Sequence, residues 1–296
     1  MQKLKNMANF RNNFSFVPYA FIGPGLLFLA AFIGYPLIYS FYLSFTEYNY
    51  VQDAFPVFNG LQTYISLLHN STFLTALTNT LIFAAVYFFA SMFFAFIIAV
   101  VINEIDRFQT FFQLSVYMPI IVPLSLAGVT FVWILDPTFG VANFLLKQLG
   151  IAPVSWLSNS SLSLFTLVGV KFWKFLGFSV IIILAGLQSV PKRLYEAAKI
   201  DGANFLQQTI HVTLPGIKSY ILMASLYQII QAMKVFQLPF VMTKGGPGNA
   251  TITLYLYSWR SAFSHFDMGN AAAAAYITSA IILSFTAIAN WLLGSD

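Results

Sequence analysis

Glu196-Ala197-Ala198-Lys199-Ile200-Asp201-Gly202, followed after nine residues by Val212-Thr213-Leu214-Pro215, forms a polar interval wedged between two long apolar stretches. Lys192, Arg193 and Lys218 add to the charge on either side. Glu196-Ala197-Ala198 has high helix propensity, and Gly202 permits a break with unusual backbone angles. Pro215 closes the polar stretch at the edge of the next apolar run. The expectation is two short helices meeting at a fixed angle, a knob suited to a groove.

The rest of the chain explains where such a knob would project from. With 59% hydrophobic and 8% charged residues and a mean hydropathy of +0.78, the chain is far more apolar than a soluble domain, which carries about 25% charged residues. It belongs in a bilayer. The net charge of +5 does not indicate a nucleic-acid binder, because the lysines and arginines sit between apolar runs rather than on one solvated face. Zero cysteines exclude disulfides and Cys-ligated zinc, and His69, His211 and His265 are too scattered to suggest a metal site. Gly245-Gly246-Pro247-Gly248-Asn249-Ala250-Thr251 is Gly-rich but lacks the Lys-Ser/Thr pair of a phosphate-binding loop, so it reads as a turn. No paired carboxylates or Ser-His-Asp cluster stand ready to act on a substrate, so no catalysis is expected.

Charge-free intervals place the membrane spans, since a transmembrane helix needs about 20 apolar residues at 1.5 Å each. Six are expected: Val17 to Phe45, Leu77 to Ile102, the interval between Arg107 and Asp136, Leu162 to Gln188, Ile217 to Phe240, and Ala271 to Leu293. The first is too long for a signal-peptide core and no small-residue cleavage site follows it, so it reads as retained. Lys3, Lys5, Arg11, Arg107, Lys192, Arg193, Lys199 and Lys218 fall on one side, against Lys147, Lys244 and Arg260 on the other. The positive-inside rule then puts both termini and the Glu-Ala-Ala segment in the cytoplasm. Outside, Asp136-Pro137-Thr138-Phe139-Gly140 reads as a turn, and Val141 to Leu149 as a short amphipathic helix ending at Gly150.

The spacing Glu-Ala-Ala, three residues, Gly, nine residues, Val-x-Leu-Pro resembles the cytoplasmic loop of the membrane subunits of binding-protein-dependent ABC importers, whose pattern has Ile where this chain has Val212. Gly186-Leu187-Gln188-Ser189-Val190-Pro191, Asp201-Gly202-Ala203 and Thr243-Lys244-Gly245-Gly246-Pro247 resemble the carbohydrate-uptake branch, which contains the larger maltose-importer subunit and the glycerol-phosphate permeases. The resemblance runs from about Asn79 to the C-terminus. It implies an all-α membrane protein with six transmembrane helices of the type I ABC importer permease fold. Residues 1–72 would be a cytoplasmic tail, the first span and an outer loop. Residues 73–296 would be a five-span permease core with a coupling loop at 189–216.

The resemblance also implies a role. The chain would be half of a translocation pathway for a sugar or oligosaccharide, in a bacterial or archaeal cytoplasmic membrane. Glu196, Ala197, Ala198, Asp201, Gly202, Leu214 and Pro215 would dock into the cleft of a separate ATP-hydrolysing subunit. That subunit, as a dimer, would hold ATP and Mg, so no cofactor is expected in this chain. A second, related permease chain would complete the pore and an extracellular solute-binding protein would deliver the cargo. Other readings are an importer of a phosphorylated polyol or an oligopeptide, an ion-coupled secondary carrier, which would want broken helices and internal carboxylates or unwound carbonyls for the coupling ion, and a membrane-embedded enzyme.

Two helical faces are candidates for the solute. Lys171, Lys174, Phe175 and Phe178 fall at i, i+3, i+4 and i+7 with Trp173 close by, and Gln228, Gln231, Ala232 and Val235 repeat that spacing on the fifth span. In the resembling sugar permeases the contact positions coincide with these two faces. Ionisable residues inside a span usually face a cavity or the bundle interior. Every acidic residue lies in a loop or at a span end, so both lysines are expected to find their counter-charge in water, a partner subunit or the solute. Lys174 follows Trp173 as in many sugar permeases. Lys171 is less usual there and hints at an acidic saccharide, unless it snorkels to the outer surface.

Overall fold

The computed structural model describes residues 17–105 and 107–293. The basic residues Lys3, Lys5 and Arg11 of the expected cytoplasmic tail lie outside them. The chain enters through α1 (Val17–Leu29), a π-turn at Ala30–Gly34 and α2 (Tyr35–Leu43), which together make one apolar rod. A two-residue hairpin follows, β1 (Thr46–Glu47) against β2 (Val57–Phe58), antiparallel with Thr46 opposite Phe58. This hairpin is a small local addition to a mostly helical chain. It forms in the first outer loop, where the chain doubles back before α3 (Gln62–His69).

The centre of the bundle is a pair of long helices, α4 (Ser71–Asn103) and α8 (Ser163–Ser189). Helix α4 begins six residues before the expected Leu77, because the Asn70 side chain caps it by accepting from the Thr72 and Phe73 amides. Its buried positions are Phe73, Ala76, Thr80, Phe83, Tyr87, Ser91, Ala95, Ala99 and Ile102. They recur every three or four residues, so a single stripe faces the bundle while the rest is apolar toward the surroundings. The stripe narrows to Ser91, Ala95 and Ala99, small residues that let neighbouring helices approach closely. Val180, Ile183, Leu184 and Leu187 of α8 fill that side, together with Ile217 and Ala224.

Between these two helices lie α5 (Gln109–Tyr117), a 3₁₀ turn (Met118–Ile121), α6 (Leu124–Ile134) and α7 (Val141–Gln148). The expected third span is therefore not one helix: it bends by 95° between its halves. The cause is Pro123, which has no N–H to donate and pushes Val122 into an extended conformation (φ −67°, ψ 127°). The amphipathic helix at 141 and the turn before it form as expected. Asp136 accepts from the Thr138 amide (2.8 Å), the Thr138 hydroxyl (2.6 Å) and the Phe139 amide (3.1 Å). These bonds, that from the Thr138 hydroxyl first, hold its carboxyl below the usual range.

After α8 come α9 (Lys192–Ile200), α10 (Phe205–Gln208), a π-turn (Thr209–Thr213), α11 (Leu214–Gly216) and α12 (Lys218–Met233). The expected fifth span is shorter than foreseen. At 16 residues, α12 is about 24 Å long, short of the roughly 30 Å hydrocarbon layer. A separate π-turn at Pro239–Thr243 follows the break at Lys234, so Val235 lies off the helix that carries Gln228 and Gln231. The chain ends through α13 (Leu254–Phe263) and α14 (Met268–Leu293).

Among the described residues, four helices are long and apolar enough to cross a membrane, and five if the bent pair counts as one span. They pack unequally. None of the best apolar window of the first is buried, against 56% for α8. The first rod touches the bundle chiefly through Tyr276, whose hydroxyl donates to the Leu37 carbonyl (2.6 Å) and whose ring meets Phe41 edge-on.

Candidate functional site

The loop between α8 and α12 is built almost wholly by local bonds. Helix α9 ends in a left-handed Gly202 (φ +79°). The Gly202 amide donates to Lys199 O (3.1 Å) and the Ala203 amide to Ala198 O (2.9 Å), the paired bonds of a Schellman stop. Directly afterwards Asn204 and Gln207 form a reciprocal capping box, each side chain accepting from the other's amide at 2.8 to 2.9 Å. The stop and the box are adjacent, so the corner between α9 and α10 is fixed by backbone geometry. Tyr195 OH lies 3.1 Å from Thr213 Oγ1 and closes the base of the loop. Glu196, Ala197, Asp201, Gly202 and Pro215 are exposed, while Ala198 and Leu214 are half-buried. Ile200 (87% exposed), Phe205 (69%) and Leu206 (65%) stand bare at the tip. A cleft of about 960 Å³ opens behind the knob, lined among others by Asn103, Glu104, Lys192, Glu196 and Lys199.

Inside the bundle the expected solute residues separate into different environments. Lys171 and Lys174 are buried, 2% and 4% exposed, and both have hydrogen-bond acceptors in this chain, which are neutral carbonyls and supply no counter-charge. The Lys171 ammonium donates to the Gln231 carbonyl. It lies 5.6 to 5.9 Å from the ring centroids of Tyr87, Phe175 and Phe83, a cage in which ring quadrupoles favour a cation. The Lys174 ammonium donates to the carbonyls of Pro119 (3.3 Å), Ile120 (2.9 Å) and Val122. Snorkelling to the outer surface does not occur for Lys171.

Gln228 is also buried and spoken for. It accepts from Tyr87 OH (2.5 Å) and donates to Ser179 Oγ (2.7 Å), tying α12 to α4 and α8. Ala232 and Val235 are buried in the apolar cluster around Phe83 and Leu167. Trp173 is exposed and packs edge-on against Phe131 (5.2 Å). Phe178 lies against Tyr227, ring centroids 4.0 Å apart, with Gln231 half-buried beside them. Tyr87, Tyr227 and Tyr117, the last of which interacts electrostatically with Tyr227, were not singled out from the sequence. Tyr87 had a signal in the Thr80-Phe83-Tyr87-Ser91 stripe at helical spacing and Tyr227 in its place four residues before Gln231; Tyr117 had none.

The helix breaks associated above with ion-coupled carriers are therefore present at Val122-Pro123 and after Met233. Their carbonyls, however, face ammonium groups. Among the described residues no cluster of three or more His, Cys, Asp or Glu side chains could hold a metal ion.

Comparison with known proteins gives these features a context. Residues 105–294 match the model of the family described as binding-protein-dependent transport system inner membrane component. The sulfoquinovosyl glycerol transport system permease protein SmoG of Agrobacterium fabrum is 30% identical over 90% of this chain and 87% of that protein. The arabinooligosaccharides transport system permease protein AraP of Bacillus subtilis is 32% identical over 94% and 88%. A bacterial alginate ABC transporter, crystallised in complex with an alginate pentasaccharide-bound periplasmic protein, has a chain of the same fold. Its TM-score is 0.80 at 23% identity, covering 94% of this chain and 93% of that one. This chain belongs to the family of binding-protein-dependent transport system inner membrane components and is an ABC transporter permease.

Proposed function

We propose that this permease imports a sugar or oligosaccharide as one of two related membrane subunits, with its power stroke entering through residues 189–216. The observation that carries the proposal is the fixed corner at Gly202-Asn204. It presents Glu196 together with the bare apolar tip Ile200, Phe205 and Leu206, a surface that makes sense only when covered by a partner. That partner is a dimeric ATPase, which holds ATP and Mg. A solute-binding protein docks on the opposite face. In this reading the chain crosses the membrane six times, with the bent α5–α6 pair and the α12 segment each counted as one crossing and both termini in the cytoplasm.

The names of the relatives favour a saccharide cargo without fixing which. Sulfoquinovosyl glycerol and arabinooligosaccharides appear in the names of proteins at nearly the same identity, so overall similarity does not transfer the sugar. The acidic hint from Lys171 loses its support, because that ammonium is buried against a carbonyl. Phe178 and Gln231, with Tyr117 and Tyr227, are half-buried. They are the better candidates for a wall on which a sugar ring stacks, while Lys171, Lys174, Phe175, Gln228, Ala232 and Val235 shape that wall from behind.

The test is a saccharide panel against the purified cognate binding protein, followed by uptake of each hit into proteoliposomes holding the complete transporter. ATP-dependent uptake of at least one saccharide is expected. If the binding protein takes no saccharide but binds an oligopeptide or a polyol phosphate, the sugar assignment is wrong. Reporter fusions after Asn103 and Arg193 should report cytoplasm, and those within residues 143–158 and 243–267 the outside.

A further inference from the structure

The two buried lysines share a geometry that a solute-binding role does not explain. Each donates to backbone carbonyls at the broken end of a different neighbouring segment. Pro123 has no N–H, so in place of the donor that the fourth following residue normally supplies the Pro119 carbonyl keeps only a long bond from the Val122 amide (3.3 Å). Lys174 donates to that carbonyl and to those of Ile120 and Val122. At the second break, α12 stops at Met233, which leaves the Gln231 carbonyl without a helical successor. Lys171 donates to it. Both ammoniums sit on α8, about 12 and 17 Å from its start, at a depth where water is not at hand to satisfy a broken backbone. The C-terminal ends of helical segments carry partial negative charge, so a cation is the favoured cap.

The helix that carries both caps also leads directly into the knob. Only Val190 and Pro191 separate Ser189, the last residue of α8, from Lys192, the first of α9. Gly177 of α8 lies so close to α5 that a Cβ there would collide with the Val116 carbonyl and lie 2.7 Å from Tyr117 Cα. We propose that Lys171 and Lys174 are positioning residues that link the cytoplasmic loop to the two broken spans. A shift of α9 moves α8, and the ammoniums carry that shift to the breaks at Val122-Pro123 and Met233-Lys234. They act on the pathway by holding its broken backbone, not by touching solute.

The proposal rests on the importer reading, and the experiment separates the two. In proteoliposomes of the complete transporter, Lys174→Met and Lys171→Met keep chain length and remove the ammonium. The expected result is a fall in maximal uptake of about tenfold or more, with the half-saturating concentration of loaded binding protein within about twofold of wild type. ATP hydrolysis should persist, and Lys174→Arg should restore a substantial part of the uptake. Wild-type maximal uptake in both Met variants overturns the proposal. So does a tenfold rise in half-saturating concentration at unchanged maximal rate, which is the signature of a solute ligand.

A second measurement does not depend on the variants assembling. Amide hydrogen exchange of the wild-type transporter, resting and trapped with ADP-vanadate, should change at residues 118–124 and 230–236 whenever it changes at 192–200. A change at 192–200 with both breaks unmoved overturns the linkage and leaves the importer reading intact. Absence of ATP-driven uptake in the wild type counts against the importer reading itself.

Discussion

Charged residues meet opposite fates in two regions of this permease. In the loop at 189–216, Lys192, Glu196 and Lys199 are exposed, and the bonds that shape the corner join residues at most five positions apart. In α8, Lys171 and Lys174 are buried, and their acceptors lie 52 to 60 residues away in sequence. The loop is rigid by its own grammar and can present charge to a partner. The interior has no such local grammar and uses charge as mortar between helices. Lysine is thus exposed in the loop and a structural joint in the interior.

The sharpest way to break this comparison is through the interior, where the effects should be largest. Gly177→Leu forces a side chain into the Val116–Tyr117 backbone, an overpacking that costs about 3 kcal/mol. The expected outcome is a strong drop in folded protein recovered in detergent; normal yield and melting temperature would mean that α5 and α8 are not held this closely. Gln228→Leu should follow at about 1–3 kcal/mol, since it leaves Tyr87 OH and Ser179 Oγ buried and unpaired. Thermal unfolding in detergent reads this directly, and an unchanged melting temperature would sink the three-helix tie. In the loop, by contrast, Asn204→Ala removes one half of the capping box and should cost only about 1 kcal/mol. Exchange at the Gln207 and Gln208 amides should quicken about fivefold with the rest of the protein unaffected. A global loss of stability would show that the loop is less self-contained than its bonding indicates.

This contrast also explains what could be read from the residues alone. The knob was legible because helix propensity in Glu196-Ala197-Ala198, the left-handed glycine and Pro215 all act over a few positions. The Asn204-x-x-Gln207 capping box was equally readable and was missed. In the membrane, the charge-free intervals located the apolar stretches but hid their breaks. Pro123 and Pro239 both stood in the sequence as signals against continuous helices. The outer hairpin had no strong sequence signal, being only two residues per strand. Lys171 and Lys174 stood out in the sequence as ionisable residues inside an apolar span, Lys171 alone as unusual for a sugar permease. Their acceptors could not be foreseen, because which backbone carbonyls lack their usual helical donor depends on where the neighbouring segments break. A charge count over side chains alone therefore assigned both lysines to water, a partner subunit or the solute.

The central claim is that ATP-driven transport enters this chain through the corner that carries Glu196. The direct test is Glu196→Lys in the complete reconstituted transporter, because that side chain is exposed and its replacement leaves the fold of the loop untouched. Uptake and solute-stimulated ATP hydrolysis are measured together, with membrane insertion and subunit association as controls. Uptake should fall about tenfold or more while the permease remains inserted, with weakened ATPase association or hydrolysis that no longer responds to loaded binding protein. Wild-type uptake with wild-type solute-stimulated hydrolysis in the variant would contradict the claim.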